Sequence, residues 1–296
     1  MPGKRAAPRK KRGCLFPILL ISGFLFWVPV ELYLSNNVLR TEQVTVASPR
    51  LPAAFDGFRV LHLSDLHEKT FGADNADLIR AARAAAPDLI AVTGDLIQSR
   101  EGLRLADRIL RELAAIAPVY YVTGNHEWAA DWNAPRTGGE RLTPDLRETM
   151  RDAGAVWLDS SFETLGRDGG TMLIAGLCDP NGPAAAMTLG ELRAEIDAAR
   201  PDDPFTLLLA HRHDRAEEYA GAGFDIVLTG HAHGGVIRPP FTDGLIGPDR
   251  DWFPRGTSGV VTEGGTSVVV SRGLGDTYVP RFLNRPQVLV VTLRRT

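Results

Sequence analysis

Cysteine is nearly missing from this chain: Cys14 and Cys178 are the only two in 296 residues. A disulfide framework and a thiolate zinc site both need more, so neither is available. Cys14, at the edge of an apolar run, is expected to be a plain thiol rather than a lipidated one, and Cys178 a small buried or loop residue. Basic charge is scarce where a nucleic-acid binder would need it. Net charge is −3, yet Lys4, Arg5, Arg9, Lys10, Lys11 and Arg12 all stand within residues 1–13, with no acid among them. Once those six are set aside, the 33 basic residues fall to 27 against 36 acidic ones. An acidic body has no broad face with which to neutralise a phosphate backbone, so no nucleic-acid partner is expected. The body also lacks internal repeats and low-complexity segments. Its 44% hydrophobic and 23% charged residues are ordinary for a folded enzyme.

Long hydrophobic runs are limited to one. Cys14–Val30 is 17 uncharged residues, and apolar character resumes after Glu31 with Leu32, Tyr33 and Leu34. At ~1.5 Å per residue, a helix over 14–34 reaches across the ~30 Å of a bilayer's hydrocarbon core. A cleaved signal peptide has the same basic start, but its apolar centre is only ~7–15 residues. The best small-residue cleavage pattern, Thr45 to Ala47, also lies too far downstream. The expected organisation is a basic cytoplasmic tail at 1–13, a transmembrane signal anchor at 14–34, a polar linker at 35–57 and a catalytic domain at 58–296. Since Lys and Arg stay on the cytoplasmic side, the chain is expected to be a single-pass cell-membrane protein. In a bacterial host its body would then be extracytoplasmic.

From Phe58 onward, apolar runs alternate with helical patterns, as in an α/β fold. Strands are expected at 58–63, 88–93, 118–123, 171–177, 205–210, 224–229, 259–262, 266–271 and 287–293, and helices at 75–86, 101–116, 144–153, 189–199 and 214–221. Two longer stretches, 128–143 and 238–258, read as irregular.

All seven histidines fall in four short segments, 62–67, 126, 211–213 and 231–233, each at or near the carboxyl end of an expected strand. Ligand-binding loops of open α/β sheets gather at those ends. Asp65 and His67 follow the first strand, Asp95 the second and Asn125, His126 and Glu127 the third; His211 and the pair His231 and His233 follow two later strands. Imidazoles and carboxylates without sulfur suit Mn, Fe or Zn rather than a soft metal or calcium. Seven such ligands are too many for one ion. They suit two divalent transition-metal ions sharing a carboxylate, the arrangement that holds an attacking hydroxide for an in-line displacement.

The run Asp65-Leu66-His67, Gly94-Asp95, Gly124-Asn125-His126-Glu127, His211 and Gly230-His231-Ala232-His233 closely resembles the motif series of the calcineurin-like metallophosphoesterase superfamily, in order and spacing. Within it, the runs SDLH at 64–67, GHAHGG at 230–235, SRGLG at 271–275 and PRF at 280–282 look most like the small membrane-attached bacterial phosphodiesterases. The resemblance implies a two-sheet β-sandwich flanked by helices, an αββα fold, preceded by the transmembrane helix. It implies one metal on Asp65, His67, Asp95 and His233, and a second on Asp95, Asn125, His211 and His231, bridged by Asp95. Two dications against two carboxylates and a bridging hydroxide leave one net positive charge to attract phosphate. His126 is implied as a general acid for the leaving oxygen or a stabiliser of developing charge.

The implied function is hydrolysis of a phosphodiester or pyrophosphate by attack of a hydroxide bridging two metals. Some membrane-associated relatives cleave the pyrophosphate of UDP-diacylglucosamine, so a lipid-linked or nucleotide-sugar substrate belongs to the expectation. The alternative is a non-catalytic, membrane-attached phospholigand-binding protein. Several positions depart from the family pattern or compete with it. Arg212, His213 and Asp214 follow His211 where Asn-Pro-Asp is frequent, and Arg212 is expected to be a solvated charge, with contact to substrate phosphate as the alternative. His211 is preferred over His213 as the ligand, and His62, inside a strand, is expected to be a hydrogen-bonded core residue. Gln98 stands where protein phosphatases of the superfamily carry a second Asp, which speaks against that activity.

Overall fold

A computed structural model describes residues 15–137, 139–183 and 186–296; the basic tail and Cys14 lie outside them. The chain opens with helix α1 (Leu15–Asn37), followed by strand β1 (Arg40–Ser48) and β2 (Arg59–Leu63). A βα series follows: α2 (Ala76–Ala85), β3 (Leu89–Thr93), α3 (Leu103–Ala114), β4 (Val119–Val122), α4 (Asn125–Thr137), α5 (Thr143–Ala153) and β5 (Ala155–Trp157). Then come β6 (Ser161–Arg167), β7 (Gly170–Gly176), α6 (Leu189–Ala199), β8 (Thr206–Leu209), α7 (Ala216–Gly221) and β9 (Ile226–Thr229), and finally β10 (Gly259–Glu263), β11 (Thr266–Val270) and β12 (Gln287–Arg295). Two six-stranded sheets result, in the orders β1-β12-β2-β3-β4-β5 and β10-β11-β9-β8-β7-β6.

The two-residue period of each strand explains how the sheets pack. Val60, Leu89, Ala91, Val122, Leu289 and Val291 of the first sheet meet Ile174, Leu207, Leu209, Ile226, Leu228 and Val269 of the second. The alternate residues of the first sheet, Leu61, Ile90, Val92, Val119 and Tyr121, turn outward onto Leu78 and Ala82 of α2, Ile109, Leu110 and Leu113 of α3, and Leu146 and Met150 of α5. In the second sheet Leu173, Leu208, Val227 and Val268 do the same toward Leu192 and Ile196 of α6 and Tyr219 of α7. The helix-flanked sandwich is therefore as expected.

All nine expected strands form, as do the five expected helices. Four further elements appear, each with a physical reason for being unread. Residues 40–48, expected to belong to a polar linker, form β1, which pairs in parallel with β12 over its full length. As an outer strand its side chains are exposed or partly so except at Val46, and its sequence RTEQVTVAS lacks a buried strand's apolar run. The same holds for β6, also at a sheet edge, while β5 has only three residues. Helix α4 covers much of 128–143, the first stretch read as irregular; it begins inside the Gly-Asn-His-Glu motif and carries Pro135. The second stretch, 238–258, is irregular as expected and is held by isolated bridges, Ile237 to Phe282 and Ile246 to Trp252.

Helix α1 is long and apolar enough to cross a membrane, and little of it is buried in the protein. Its second half, from Trp27 to Asn36, is nevertheless tied to the body. Asn36 Nδ2 donates to the Arg281 carbonyl, the Arg281 amide donates back to Asn36 Oδ1, and Trp27 packs edge-on against Phe282 at 5.5 Å.

Candidate metal centre

The carboxyl ends of β2, β3 and β4 in one sheet and of β8 and β9 in the other open toward the same place. Asp65, His67, Asp95, Asn125 and His126 come from the first sheet, and His211, His231 and His233 from the second. The backbone must bend sharply to aim these groups inward. Asp65, His67, Asp95, His231 and His233 all adopt positive φ, between 48° and 64°. Non-glycine residues occupy this left-handed region at a cost of about 1–3 kcal/mol each, which the surrounding contacts must offset. Gly230 permits the closest approach, since a Cβ there would collide with Ser64 Oγ and Asp65 Oδ2.

Donor atoms of three overlapping groups, Asp65 with His67 and His233, His67 with Asp95 and His126, and Asp95 with His211 and His231, each lie within 4.8 Å of one another. His67 Nε2 is 3.3 Å from His233 Nε2, and His211 Nε2 is 3.3 Å from Asp95 Oδ2 and 3.0 Å from Asn125 Oδ1. Ligands about 2.1 Å from one ion stand about 3.0–3.4 Å from each other, so these spacings fit groups converging on cations. His211 also hydrogen-bonds through Nδ1 to the Thr93 carbonyl at 2.7 Å, which fixes the ring and turns Nε2 into the site.

The electrostatics fit as well. Burial pushes the His67 pKa down to about 4 and that of His231 to about 2, and carries His233 well below its usual value, with neighbouring cations adding to each effect. These rings are neutral at physiological pH, with lone pairs available to a metal. Burial, reinforced by the charge of Asp95, raises Asp65 to about 6. Burial pushes Asp95 the same way, but His211 outweighs it and holds the carboxyl well below the usual range. His211 in turn is pulled upward by Asp95 against the opposing effect of burial. Two buried carboxylates beside four buried imidazoles form a site that a cation stabilises.

His126 differs from the other rings. Its side chain is 43% exposed, against 6% for His67 and 0% for His211, so it presents itself to the open cleft. Its backbone N–H donates to Asp95 Oδ1 at 2.8 Å, and its Nε2 stands 4.0 Å from Asp95 Oδ2. The cleft encloses about 420 Å³ and is closed on its other side by Pro248, Asp249, Asp276, Thr277 and Tyr278, with Gln98 at its wall.

His62 lies outside the cluster, fully buried, with Nε2 2.8 Å from Thr93 Oγ1. His213 neighbours His231 at a ring separation of 6.0 Å and belongs to none of the three donor groups. Arg212 is not the solvated charge expected of it. Its side chain is 17% exposed, its Nε donates to the fully buried Asp179 at 2.8 Å, and its Nη1 lies 2.9 Å from His231 Nε2. Cys178 is a buried free thiol.

Sequence reasoning gave no role to two residues that hold the centre together. Glu127, fully buried, accepts from the amides of Asp95, Leu96 and Gly124 and from the Tyr121 hydroxyl at 2.8–3.1 Å, clamping the loops after β3 and β4. Its place in Gly-Asn-His-Glu was the available signal. Arg281, also fully buried, lies 3.1 Å from His233 Nδ1 through Nη2 and donates to the carbonyls of Arg272 and Gly275 at 2.8 and 2.9 Å. An arginine buried inside the PRF run could not be told from a surface charge by sequence.

Strand-end histidines and aspartates, delivered by two stacked sheets to one cleft, define a metallophosphoesterase. The chain matches the calcineurin-like phosphoesterase family over residues 58–235, and it belongs to that family. It is 31% identical over 275 residues to the uncharacterized metallophosphoesterase YkuE of Bacillus subtilis (strain 168), an alignment covering 89% of this chain and 88% of that one. Phosphodiesterase YaeI of Escherichia coli (strain K12) is 28% identical over 250 residues, covering 80% and 82% of the two chains. The transmembrane protein with metallophosphoesterase domain of Bos taurus is 30% identical over 209 residues, covering 66% of this chain and 45% of that protein. The NAD nucleotidase NadN of Haemophilus influenzae shares the fold, with a TM-score of 0.50 and 16% identity over 74% of this chain and 45% of that one. Proteins of this family use a dinuclear divalent metal centre.

Proposed function

We propose that this protein is a membrane-anchored phosphoesterase that hydrolyses phosphodiester or pyrophosphate bonds. The observation that carries the reading is the convergence of Asp65, His67, Asp95, Asn125, His211, His231 and His233 from two sheets, in donor groups joined through His67 and Asp95. Asp65, His67, Asp95 and His233 hold one divalent ion, and Asp95, Asn125, His211 and His231 the other. When bound, such a pair supplies Lewis acidity and a nucleophile from water at neutral pH. The chain's own residues do the rest. Asp95, fixed by the His126 amide, is the shared carboxylate. His126, the exposed ring, delivers a proton to the departing oxygen or stabilises charge on it. Pro248, Asp249 and Tyr278 shape the side of the cleft from which substrate enters.

Helix α1 is the anchor in this reading, with residues 1–13 inside the cell and the body outside. Candidate substrates are lipid-linked or nucleotide-sugar phosphates. The test is elemental analysis of the purified full chain together with multiple-turnover assays on mono-, di- and pyrophosphate esters. Two ions per chain and turnover of diesters or pyrophosphates are expected. At most one ion under saturating Mn²⁺ would overturn the two-metal assignment, and binding without turnover would establish the phospholigand-capture alternative.

A further inference from the structure

The exposed aromatic residues of the body are concentrated beside the anchor. Phe241 is 107% exposed, Trp252 69% and Phe253 70%, all within the irregular stretch 238–258. That stretch is joined to the segment docked on α1 by successive backbone hydrogen bonds. The Arg238 amide donates to the Phe282 carbonyl, the Leu245 amide to Ile237 and the Phe253 amide to Leu245, at 2.9, 2.8 and 3.0 Å. At the ~4.8 Å spacing of neighbouring extended chains, Phe253 is within about 15 Å of Phe282. Phe282 itself packs on Trp27, which lies about 15 Å along the helix from Asn37. A helix of about 35 Å needs nearly all its length to span a bilayer, which sets Trp27, near its middle, roughly 10 Å below the headgroups, so a body touching it there is seated in the membrane. Phe253 and its neighbour Trp252, roughly 15 Å from that contact, are within reach of the headgroup level, which aromatic side chains favour.

The same segments line the metal cleft. Pro248 and Asp249 stand at the turn of the chain between Ile246 and Trp252, and Tyr278, four residues before Phe282, donates from its hydroxyl to the Gly247 carbonyl at 2.9 Å. Charge in the stretch is mixed, with Asp243, Asp249 and Asp251 against Arg238, Arg250 and Arg255, so attraction to anionic lipid is not its driving force.

We infer that residues 238–258, together with 278–282, form a bilayer-seated rim, and that the metal cleft opens onto the membrane surface and takes its phosphate from an amphiphile lying in it. This rests on the anchored phosphoesterase reading above and names its substrate class. The contact is aromatic insertion and is indifferent to lipid charge.

The test uses the full chain in phosphatidylcholine vesicles, in a Trp27→Phe background that silences the anchor's own tryptophan. Brominated phosphatidylcholine should quench part of the remaining emission, and adding Trp252→Phe should abolish that quenching. Trp132→Phe, which alters a comparably exposed tryptophan on α4, should leave it intact. Ten percent phosphatidylglycerol or raised salt should change neither result. Quenching that survives Trp252→Phe, or that disappears with Trp132→Phe, overturns the inference. In parallel, Phe241→Ser with Phe253→Ser should slow hydrolysis of a vesicle-embedded phosphodiester lipid by about tenfold, with bis(p-nitrophenyl) phosphate turnover unchanged. Equal loss on both substrates counts against the inference. Failure of wild type to turn over the soluble diester refutes the phosphoesterase reading, while the quenching result still decides where the rim lies.

Discussion

The two sheets contribute unlike halves to one centre. The first brings both buried carboxylates, His67, the amide of Asn125 and the exposed His126, while the second brings His211, His231 and His233. Negative charge is thus concentrated on one half and imidazole donors mostly on the other, so a cation between them binds the halves to each other as well as activating substrate. Removing groups from each half asks how far that division of labour holds.

The largest effect should come from Asp95→Asn, the carboxylate proposed to serve both ions. Metal content should fall from two ions toward one or none by elemental analysis, with activity lower by on the order of 10⁴. Full metal content in that variant would end the bridging role. His126→Gln tests the opposite behaviour on the same sheet. Both ions should remain while turnover drops by about 10²–10⁴, most for alkyl or sugar leaving groups that need a proton and least for activated aryl ones. Loss of metal in step with activity would make His126 a ligand, as its membership of one donor group allows.

Glu127→Gln keeps the shape but points an amide N–H at backbone donors. Metal affinity, followed by titration calorimetry, should weaken about 10–100-fold, because the loop carrying Asp95 loses its clamp. On the second sheet, Arg212, whose Nη1 lies 2.9 Å from His231 Nε2, is near enough to the donor cluster to meet a substrate phosphate; if it does, Arg212→Gln should raise KM for phosphate esters by about tenfold, the equivalent of one hydrogen bond to a charged group, with both ions retained. Unchanged KM would leave Arg212 as a partner of Asp179 only.

The smallest effect concerns a direct link between the halves. Asp159 accepts from the Thr123 amide and hydroxyl after β4 and bridges to Gly176 at the end of β7. Burial raises its pKa to about 6, with a contribution from Asp179. A carboxyl raised in the fold holds its proton more tightly there than in the unfolded chain, so stability falls as pH rises from about 4 to about 6. Asp159→Asn should remove that slope, gaining about 1–3 kcal/mol relative to wild type across the window in urea unfolding. A parallel pH dependence in the two proteins would refute it.

Much of this was legible because the chemistry is local. Asp65 and His67, or His231 and His233, announce themselves by following apolar runs within a few residues, and buried strands such as β3 and β9 read directly as LIAVT and IVLT. What escaped depends on distant partners. β1 is recognisable only when β12 lies beside it, the burial of Arg281 requires the loops around His233, and the left-handed backbone at Asp65 and Asp95 leaves no mark in residue type. Arg212 was misread for the same reason: its counter-ion, Asp179, lies 33 residues away.

The pairing of β1 with β12 sets an order of events during biosynthesis. β1 follows helix α1 directly, yet it cannot find its neighbour until residues 287–295 have been made, and β12 also separates β1 from β2. The first sheet therefore closes only after the ribosome has delivered β12, long after β1 itself. A chain stalled before Gln287 would display the unpaired edge of β2, by which quality-control proteases would distinguish it from the finished molecule.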